Sequence, residues 1–522
     1  MYVAYSDDKV YKDVGDTRQL FIDDDVVAVV KNVTRRQHTP KKHPDNPLIR
    51  RDKPWEGNTY FRTSCYNVLR DEAEGLFKSW YQDFYTYGTI DKRSFRVETL
   101  RGRIYYAYSE DGLNWTKPAL GKHTVDGHDT NTVFGHPPYR EVICPSVLLD
   151  ERDPDPSKRY KMVYLFHDAE VQHPKLAYEG RAGGGLRMAF SPNGVDWTPF
   201  EDNPIIPEWI SDVQILTWDP IDEKYVLWGR YGGASGGSGH PEMDNWFAPV
   251  WPGKPEGVWG VRRRIYRTES KDLLNWAKPE LLWDPGDEAN LDDGYYGFVP
   301  WRAGEMHLGL LNVLHQVDNT VDMYLHYSRD GVNWNQLLDH RPLIQRGGAG
   351  SYDEFDVEMP TQPLVVGDEI WFFYGGMNVH HDWWIIGDKE GLDVPEAKDR
   401  TLGRDGHHLC LATLRLDGYV SLDATVREGW VETKPLFSTG ANLFINGTCE
   451  QNGYIEVEVM DGWNNVWNEY SKEKCETFTG DSVRHRVRWA GKETVNEIPG
   501  SIKLRFHLKN ASLYGFQFAD SK

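Results

Sequence analysis

The stretch Ser109-Glu110-Asp111-Gly112-Leu113-Asn114-Trp115 decides the predicted fold, because its pattern returns three more times along the chain. The other copies span residues 191–197, 270–276 and 328–334, and a weaker fifth copy spans 414–419. Repeats on this scale are typical of a propeller, in which each blade is a small sheet that buries its faces against neighbouring blades. Five copies therefore predict five blades.

A second series of repeats lies between these turns and consists of five predicted hairpins. Each hairpin joins an apolar strand to an aromatic-rich strand through a turn of acidic residues, Gly or Pro. A third strand follows each of the first four hairpins and leads into the Ser-to-Trp turn. The hairpins cover residues 60–84, 141–167, 212–231, 295–315 and 356–375. One hairpin, one further strand and one turn make one predicted blade.

The Asp, Gly and Trp of the repeated turn are predicted to be structural rather than functional. Asp closes the turn, Gly adopts a positive φ, and Trp packs between strands. Similar turns occur in sialidases, but the sialidase turn has one more residue between its Asp and its Gly and belongs to six-bladed propellers. The spacing in this chain departs from that pattern.

The chain of 522 residues exceeds one ordinary hydrophobic core, so at least two domains are expected. Beyond residue 424 the blade turns stop and strict alternation begins, with Ile502, Leu504 and Phe506 on one face and Lys503 and Arg505 on the other. We predict an all-β chain: an N-terminal strand or clasp over residues 1–40, a five-bladed β-propeller over 41–424, and a C-terminal β-sandwich domain over 425–522.

The net charge of −21, without a basic stripe, argues against a nucleic-acid or membrane partner. No apolar stretch approaches the ~20 residues of a transmembrane helix, and residues 1–8 lack an apolar signal core. We expect a cytoplasmic protein, or a secreted or periplasmic protein whose signal has been removed, of unassigned oligomeric state. The five cysteines form no Cys-x-x-Cys pair, which favours buried thiols over disulfides or a zinc site.

The five hairpins, the repeated turn and the alternating C-terminal strands together resemble the five-bladed glycoside hydrolases of families 32, 43, 68 and 117. The resemblance spans nearly the whole chain and is closest to bacterial family 32-like proteins, through residues 20–24 (Leu-Phe-Ile-Asp-Asp), 54–56 (Pro-Trp-Glu) and 513–518 (Leu-Tyr-Gly-Phe-Gln-Phe). It implies that acidic residues of the innermost strands meet in an axial funnel. The Trp-x-Asn-Asp-Pro and Glu-Cys motifs of family 32 are absent, so neither the sugar nor the stereochemistry carries over.

Acidic residues near the starts of the five predicted first strands are the candidates for catalysis. The innermost strands of a propeller enter the axial funnel at one end, so these residues should converge there. One or two acidic residues occur at each of the five starts. They are Glu56, Glu141, Asp212, Asp292 with Asp293, and Asp356 with Glu358.

Cleavage of a glycosidic bond needs two carboxyl groups, one protonated to release the leaving oxygen and one ionised to attack or to activate water. Crowded carboxyl groups repel each other's charge, which raises the pKa of one of them. We predict that Glu56 and Asp212 form the pair, with Glu358 or Asp356 as the alternative acid. Asp293 is predicted to tune a pKa or to bind a hydroxyl.

A further set of residues is predicted to bind the substrate. Arg62 and Arg230 interrupt apolar strands, and a buried Arg needs a carboxylate partner, so both are expected to orient the acids. Aromatic rings can stack on sugar faces, and His can contact hydroxyl groups or act as an acid. The predicted substrate-binding residues are Trp55, Arg62, Glu141, Arg230, Tyr296, Asp356 and His381.

No His-Glu-x-x-His or comparable spacing occurs, so we predict no catalytic metal and no required cofactor. A structural cation such as calcium could still occupy the axial channel. Residues 232–260 combine a Gly-rich run with Trp246, Trp251 and Trp259, which is typical of a lid over a binding site.

The predicted function is that of a glycoside hydrolase acting on an oligo- or polysaccharide through paired carboxylates. Two alternatives stay open, because fold does not imply function. The first is a carbohydrate-binding propeller without catalysis, and the second is a protein-binding propeller scaffold. The ring of acidic residues favours the enzyme, whereas a scaffold would show exposed apolar residues on its blade faces.

Overall fold

The computed structural model describes residues 11–91, 96–135, 142–166, 185–206, 210–231, 263–286, 289–290, 292–337, 340–384 and 391–520. Side chains are described in these ranges except at 84–91, 96–101, 166, 210–212, 231 and 400. Nearly all regular structure is β-strand, which confirms the prediction of an all-β chain. The described helices are short: α1 (Pro395–Lys398), α2 (Arg400–Asp405) and 3-10 turns at Pro156–Lys158, Asn468–Tyr470 and Lys472–Lys474.

The N-terminal segment contributes five short strands, all of which pair with strands from later parts of the chain. They are β1 (Lys12–Gly15), β2 (Gln19–Leu20), β3 (Val27–Lys31), β4 (Thr34–Gln37) and β5 (Lys41–Lys42).

Five antiparallel meanders follow, and we number them units one to five. In unit one the first strand is split into β6 and β7, both paired with β8, and the order continues through β9 to β12. A separate small hairpin, β10–β11, precedes the last strand. The strands of unit one are β6 (Thr59–Tyr60), β7 (Tyr66–Asp71), β8 (Leu76–Asp91), β9 (Arg96–Ser109), β10 (Thr124–Val125), β11 (His128–Asp129) and β12 (Thr132–Phe134).

Units two to four are four-stranded meanders in simple chain order. Unit two contains β13 (Val142–Leu149), β14 (Tyr160–Phe166), β15 (Leu186–Ser191) and β16 (Thr198–Pro199). Unit three contains β17 (Ile210–Asp219), β18 (Lys224–Tyr231), β19 (Ile265–Ser270) and β20 (Glu280–Trp283). Unit four contains β21 (Asp293–Ala303), β22 (Met306–His315), β23 (Thr320–Ser328) and β24 (Asn335–Gln336).

Unit five takes its last strand from the N-terminal segment, because β5 pairs with β28. Its first strand is again split, into β25 and β26, and β25 also pairs in parallel with β23 of unit four through Val321 and Asp356. The strands are β25 (Asp356–Glu358), β26 (Leu364–Val366), β27 (Glu369–Met377) and β28 (His407–Arg415).

Five apolar clusters fill the spaces between units. Each draws mainly on two successive units, and one joins unit five back to unit one through Phe373 and Leu409 against Tyr66 and Tyr105. The order of contacts is therefore cyclic. Burial of both faces of each sheet against its neighbours is the main stabilising effect of this arrangement.

The repeated turn has the structure that its sequence predicts. Asp111 accepts the amide hydrogens of Leu113 and Asn114 at 2.8 and 2.7 Å, Gly112 has a φ of 76°, and the Trp115 indole donates to the carbonyl of Gly112. The other three copies repeat these bonds between third and fourth strands. The weak fifth copy differs from the others. Unit five takes β5, from the N-terminal segment, as its last strand, so the chain after this turn continues into the C-terminal sheet.

The C-terminal sheet has eight strands and includes part of the N-terminal segment. Strands β2, β3 and β4 pair with β34, β30 and β29, respectively, and its core includes Phe21, Trp489 and Phe506. Residues 420–424 belong to this sheet, which favours a boundary slightly before the predicted one at 424. Its other strands are β29 (Val420–Ala424), β30 (Gly429–Thr433), β32 (Asn442–Met460), β33 (Asp481–Arg486) and β34 (Lys503–Ala519). Strand β31 (Leu436–Ser438) pairs with β1 in a separate two-stranded sheet.

All five cysteines carry free thiols. Among the residues that the structure describes, no helix is long and apolar enough to cross a membrane.

Candidate active site

Asp356 and Glu358 form the centre of the candidate site. Alternate residues of a strand face the same side, so both carboxyl groups leave β25 in one direction, and both side chains are fully buried. Gly375, opposite Glu358 on β27, lets unit one approach closely, because a Cβ there would stand 2.0 Å from the carbonyl oxygen of Phe61. The close approach brings side chains of unit one onto the pair.

Unit one supplies two partners for the carboxyl group of Glu358 and one for its backbone carbonyl. The hydroxyl of Thr63 donates a hydrogen bond to Glu358 Oε2, and Arg62 Nε lies 3.5 Å from Glu358 Oε1. The phenol of Tyr66 donates to the backbone carbonyl of Glu358 at 3.1 Å. A charge-assisted contact and a hydroxyl donor both stabilise the ionised form of Glu358.

His381 completes the cluster on the other side. Its Nδ1 accepts a hydrogen bond from Arg62, since a guanidinium can only donate, and lies 3.3 Å from Asp356 Oδ2. The ring of Tyr296 stands edge-on to the imidazole, with centroids 4.9 Å apart. Arg62 also donates to the hydroxyl of Tyr60.

Burial has the largest effect on the pKa values of Asp356, Glu358 and His381. Burial and the neighbouring Glu358 carboxyl raise the pKa of Asp356 well above its ordinary value. Burial also raises the pKa of Glu358, against the opposing effects of Arg62 and Thr63. Burial, followed by the charges of Arg62, Arg263 and Arg230, holds the pKa of His381 well below its ordinary value. The cluster therefore contains a neutral imidazole and a pair of carboxyls that resists double ionisation.

Asp356, Glu358 and His381 are also the side chains most suited to hold a metal ion, since one potential ligand atom from each lies within 4.8 Å of the others. Arg62, however, contacts both Glu358 and His381. A cation at this position would stand against a buried positive charge, which is electrostatically unfavourable. The contacts of Arg62 with Glu358 and His381 therefore favour a hydrogen-bonded network of acids over a metal centre at this position.

Two further arginines approach the same place from unit three. The guanidinium carbons of Arg230 and Arg263 lie 5.3 and 4.4 Å from the centroid of the Tyr296 ring. Five of the seven predicted binding residues therefore lie close together here: Arg62, Arg230, Tyr296, Asp356 and His381.

Asp293 lies beside this cluster in a second network. Its carboxylate contacts His315 Nδ1 at 2.8 Å, and Asp322 contacts the other ring nitrogen at 3.2 Å. Arg346 pairs with Asp322 and is close enough to lower the pKa of Asp356. This arrangement is consistent with the predicted role of Asp293 in tuning a pKa, although it acts through His315 and its neighbours.

Glu56 lies in a different environment, with both oxygens engaged by the protein. The amides of Asp52 and Lys53 donate to one oxygen at 3.0 Å, and Tyr81 and Lys117 contact the other at 3.0 and 2.6 Å. Four donors around a buried carboxylate are typical of a structural group.

A cavity of about 110 Å³ is lined by Glu56 and by Trp55, which was predicted to bind the substrate. Asp83 and Arg103 also line it, as partners across β8 and β9. Burial raises the pKa of Asp83 to about 6, against the donors that bond it. The indole of Trp55 donates to Asn131 at 2.9 Å, which fixes the ring at the rim.

Three predictions fall outside the described residues. Glu141 is not described, and the backbone of Asp212 lies in β17 but its side chain is not described. The predicted lid at 232–260 also lies outside. The roles of these residues stay predictions.

Several residues of the site were not predicted from the sequence. No motif in the sequence distinguishes three of them, Thr63, Arg263 and Asp322, from other polar residues in strands. Asp382 is half-buried next to His381 and accepts a hydrogen bond from the side-chain amide of Asn319 at 2.6 Å.

No protein-family model matches this chain, and no curated protein matches its sequence. Solved structures with a similar chain path include a family 43 arabinoxylan arabinofuranohydrolase from Bacillus subtilis, with 12% identity, a TM-score of 0.38, and coverage of 92% of this chain and 99% of that one. A family 32 β-fructofuranosidase from Bombyx mori has 12% identity and a TM-score of 0.40, over 93% and 95% of the two chains.

A glycosyl hydrolase from Bacteroides ovatus has 12% identity and a TM-score of 0.42, over 73% of this chain and 94% of that one. Similarities of this size place the chain in no family.

Proposed function

We propose that this protein is a glycoside hydrolase whose catalytic pair is Asp356 and Glu358. The observation that carries the proposal is the pairing of two fully buried carboxyl groups on one face of β25, with one potential ligand oxygen of each within 4.8 Å of the other. Glycosidases need such a pair, with one member protonated and one ionised.

The surroundings assign the two roles. Arg62 and Thr63 stabilise negative charge on Glu358, so Glu358 is the ionised member. His381 Nδ1 carries no proton, since it accepts from Arg62, so it cannot donate to Asp356 Oδ2 at 3.3 Å, and this contact disfavours the ionised form of Asp356. Asp356 then protonates the leaving oxygen and Glu358 attacks the anomeric carbon.

One oxygen of each carboxyl group lies within 4.8 Å of one of the other, and this upper bound fits retention of the anomeric configuration better than inversion. Retaining enzymes hold their carboxyl groups about 5 Å apart, whereas inverting enzymes need roughly 6.5 to 9.5 Å to admit a water molecule. In this mechanism Glu358 forms a covalent glycosyl intermediate, and Asp356 then accepts a proton from the water that hydrolyses it.

The donors around Glu56 support a structural role for that residue, so it leaves the proposed pair. Asp212 stays in the proposal as a third acidic residue of the site. Asp293 is a positioning residue that acts through His315. His381, Arg62 and Tyr296 are proposed to line the substrate site.

The architecture that we propose is a five-bladed propeller formed by units one to five, with a C-terminal β-sandwich. The cyclic order of apolar clusters and the strand from the N-terminus that completes unit five support it. The proposed domains are an N-terminal segment over residues 1–40, the propeller over 41–424 and the sandwich over 425–522. The pairing of β29 (Val420–Ala424) with β34 moves the proposed boundary between the last two to just before Val420.

The test is hydrolysis of a panel of 4-nitrophenyl glycosides of both anomeric configurations, together with plant and bacterial polysaccharides assayed for reducing ends. We expect Asp356→Asn and Glu358→Gln each to lower turnover by at least about 1,000-fold. Azide should restore glycosyl transfer in Glu358→Ala, because it replaces the nucleophile. Hydrolysis that continues in both amide variants would assign catalysis elsewhere.

The alternative of a carbohydrate-binding protein makes a different prediction. The wild type would then bind oligosaccharides on a glycan array and release no product from any of them. Binding of proteins but not of sugars would favour the scaffold.

A further inference from the structure

Asn319, in the turn between β22 and β23 of unit four, holds the segment of chain that carries His381. Its backbone carbonyl accepts the amide hydrogen of His381 at 2.8 Å. Its Oδ1 accepts the amide hydrogen of Asp382 at 2.8 Å, and its Nδ2 donates to Asp382 Oδ1 at 2.6 Å. Three hydrogen bonds from one residue therefore fix the backbone at 381–382 and one of its side chains.

The backbone of Asn319 has a conformation in which glycine is usual. Its φ is 55°, in the left-handed region that few residues other than Gly, Asn and Asp adopt at low cost. The side chain of Asn319 is only 3% exposed, and its oxygen and its nitrogen both bond to Asp382. Glycine would satisfy the turn by itself, so the buried amide serves the segment across from it.

The same short stretch of unit four also contacts the backbone at Asp356. Val321, two residues after Asn319, pairs with Asp356 in parallel, and its amide donates to the carbonyl of Phe355 at 3.2 Å. This stretch therefore holds the backbones of both Asp356 and His381. The 3.3 Å separation of His381 Nδ1 and Asp356 Oδ2 depends on where those two backbones lie.

We propose that Asn319 is a positioning residue of the candidate site, which fixes the imidazole of His381 against Asp356 and Arg62. This inference rests on the proposed function, in which His381 lines the substrate site. Arg62 donates to His381 Nδ1, so the ring must keep an unprotonated nitrogen turned toward that guanidinium. The position of a ring follows that of its own backbone, and hydrogen bonds to that backbone keep the site in one geometry.

The experiment is nitrogen NMR of the full chain with isotope-labelled histidine rings, in which the signals of His381 are those that His381→Gln removes. In the wild type, His381 Nδ1 should give the signal of an unprotonated nitrogen, since it accepts from Arg62. Asn319→Gly keeps the turn, because Gly tolerates its φ, and removes both bonds to Asp382. We expect the Nδ1 signal of this variant to move toward the average of the protonated and unprotonated forms.

Turnover per folded molecule is the second readout. Asn319→Gly should lower kcat about 10-fold or more, because a small displacement of a group in the site raises the barrier to reaction. Asn319→Asp keeps the size of the side chain and the acceptor for the Asp382 amide but loses the donor, so it should lower kcat as well.

Asn452→Gly is the matched control. Asn452 has a φ of 61° and is exposed in the bulge of β32, within the C-terminal sheet. Its replacement should leave the His381 signal and kcat unchanged. Thermal unfolding of each variant reports whether it is folded.

An unchanged His381 signal in Asn319→Gly, or an equal change in Asn452→Gly, would overturn the inference. A lower melting temperature of Asn319→Gly with the wild-type signal and kcat would also overturn it, because Asn319 would then act in folding alone. The expected change of signal, in a protein that hydrolyses no glycoside, would support the inference and reject the hydrolase. Hydrolysis together with an unchanged His381 signal in Asn319→Gly would do the reverse.

Discussion

The hydroxyl of Thr63 donates a hydrogen bond to Glu358, which joins the first unit of the chain to the fifth across 295 positions of sequence. This bond stabilises the ionised carboxylate that the proposed mechanism uses as nucleophile. Because Arg62 approaches the other oxygen, Glu358 has a charged and a neutral partner on opposite sides.

Replacement of Thr63 by Val removes the hydroxyl and keeps the shape of the side chain. We expect kcat to fall about 10- to 100-fold and the acidic limb of its pH profile to move to higher pH, because a lost donor raises the pKa of Glu358. Thr63→Ser should keep both near the wild type. A fall in kcat without a shift of the acidic limb would indicate a packing defect instead.

Replacement of Asp356 by Asn should abolish hydrolysis and leave the protein at least as stable as the wild type at pH 8. Burial and Glu358 raise the pKa of Asp356, so its ionised form is disfavoured in the folded state, and an amide avoids that charge. Chemical unfolding at pH 8 measures the difference. A marked loss of stability would mean that Asp356 is needed for folding in its charged form.

Replacement of Glu56 should have the opposite effect, with a loss of stability and little change in turnover. Glu56→Gln replaces a carboxylate that accepts two backbone amides and pairs with Lys117, so we expect a loss of about 2 to 4 kcal/mol in the free energy of unfolding. Turnover per folded molecule should change little. A stable Glu56→Gln protein without activity would return Glu56 to the catalytic pair.

The raised pKa of His315 predicts that the stability of the protein depends on pH. Burial opposes its charge, but hydrogen bonds to Asp293 and Asp322 outweigh burial and raise its pKa from 6.5 to about 9. The folded state therefore binds the proton more tightly. The stabilisation is fully present below pH 6.5 and is lost as pH rises through 9, with an upper limit of about 3 kcal/mol.

Urea unfolding between pH 6 and pH 10 tests this expectation. His315→Gln should flatten the decline, since Gln cannot titrate. A decline that is the same in wild type and variant would place its origin in other groups.

Gly112 in the first repeated turn and Gly121 shortly after it form a matched pair of glycines. Gly112 and Gly121 have φ values of 76° and 67°, but only at Gly112 would a Cβ meet a neighbour, Trp371, at 2.7 Å. Gly121→Ala should cost about 1 kcal/mol from backbone strain alone, and Gly112→Ala should cost about 2 to 4 kcal/mol because the clash adds to it. Equal losses would show that Trp371 moves aside freely.

The strands and turns of this protein follow from local chemistry. The Ser-x-Asp-Gly-x-Asn-Trp pattern predicts its own hydrogen bonds, because the carboxylate of Asp111 accepts from the amides two and three residues ahead and Gly112 adopts its positive φ without strain. In the third copy Leu273 adopts the same conformation, with a φ of 67°. The hairpins of units two to five were predicted at nearly their observed bounds, since alternation and turn residues are read over a few positions. In unit one β8 continues to Asp91, seven residues beyond the predicted end. The same local logic identified Asp356 and Glu358 as candidates.

Only the tertiary structure decided which acidic residues act together. Glu56 and Glu358 both follow the same pattern in sequence. In the structure, the carboxylate of Glu56 accepts hydrogen bonds from Lys117 and two backbone amides. The Asp356–Glu358 pair is instead surrounded by side chains from distant segments, namely Arg62, Thr63 and His381. Strand patterns describe which face a side chain occupies and carry no information on what stands across from it. Burial and neighbouring charge, which set a carboxyl's pKa, exist only once the units have closed upon each other.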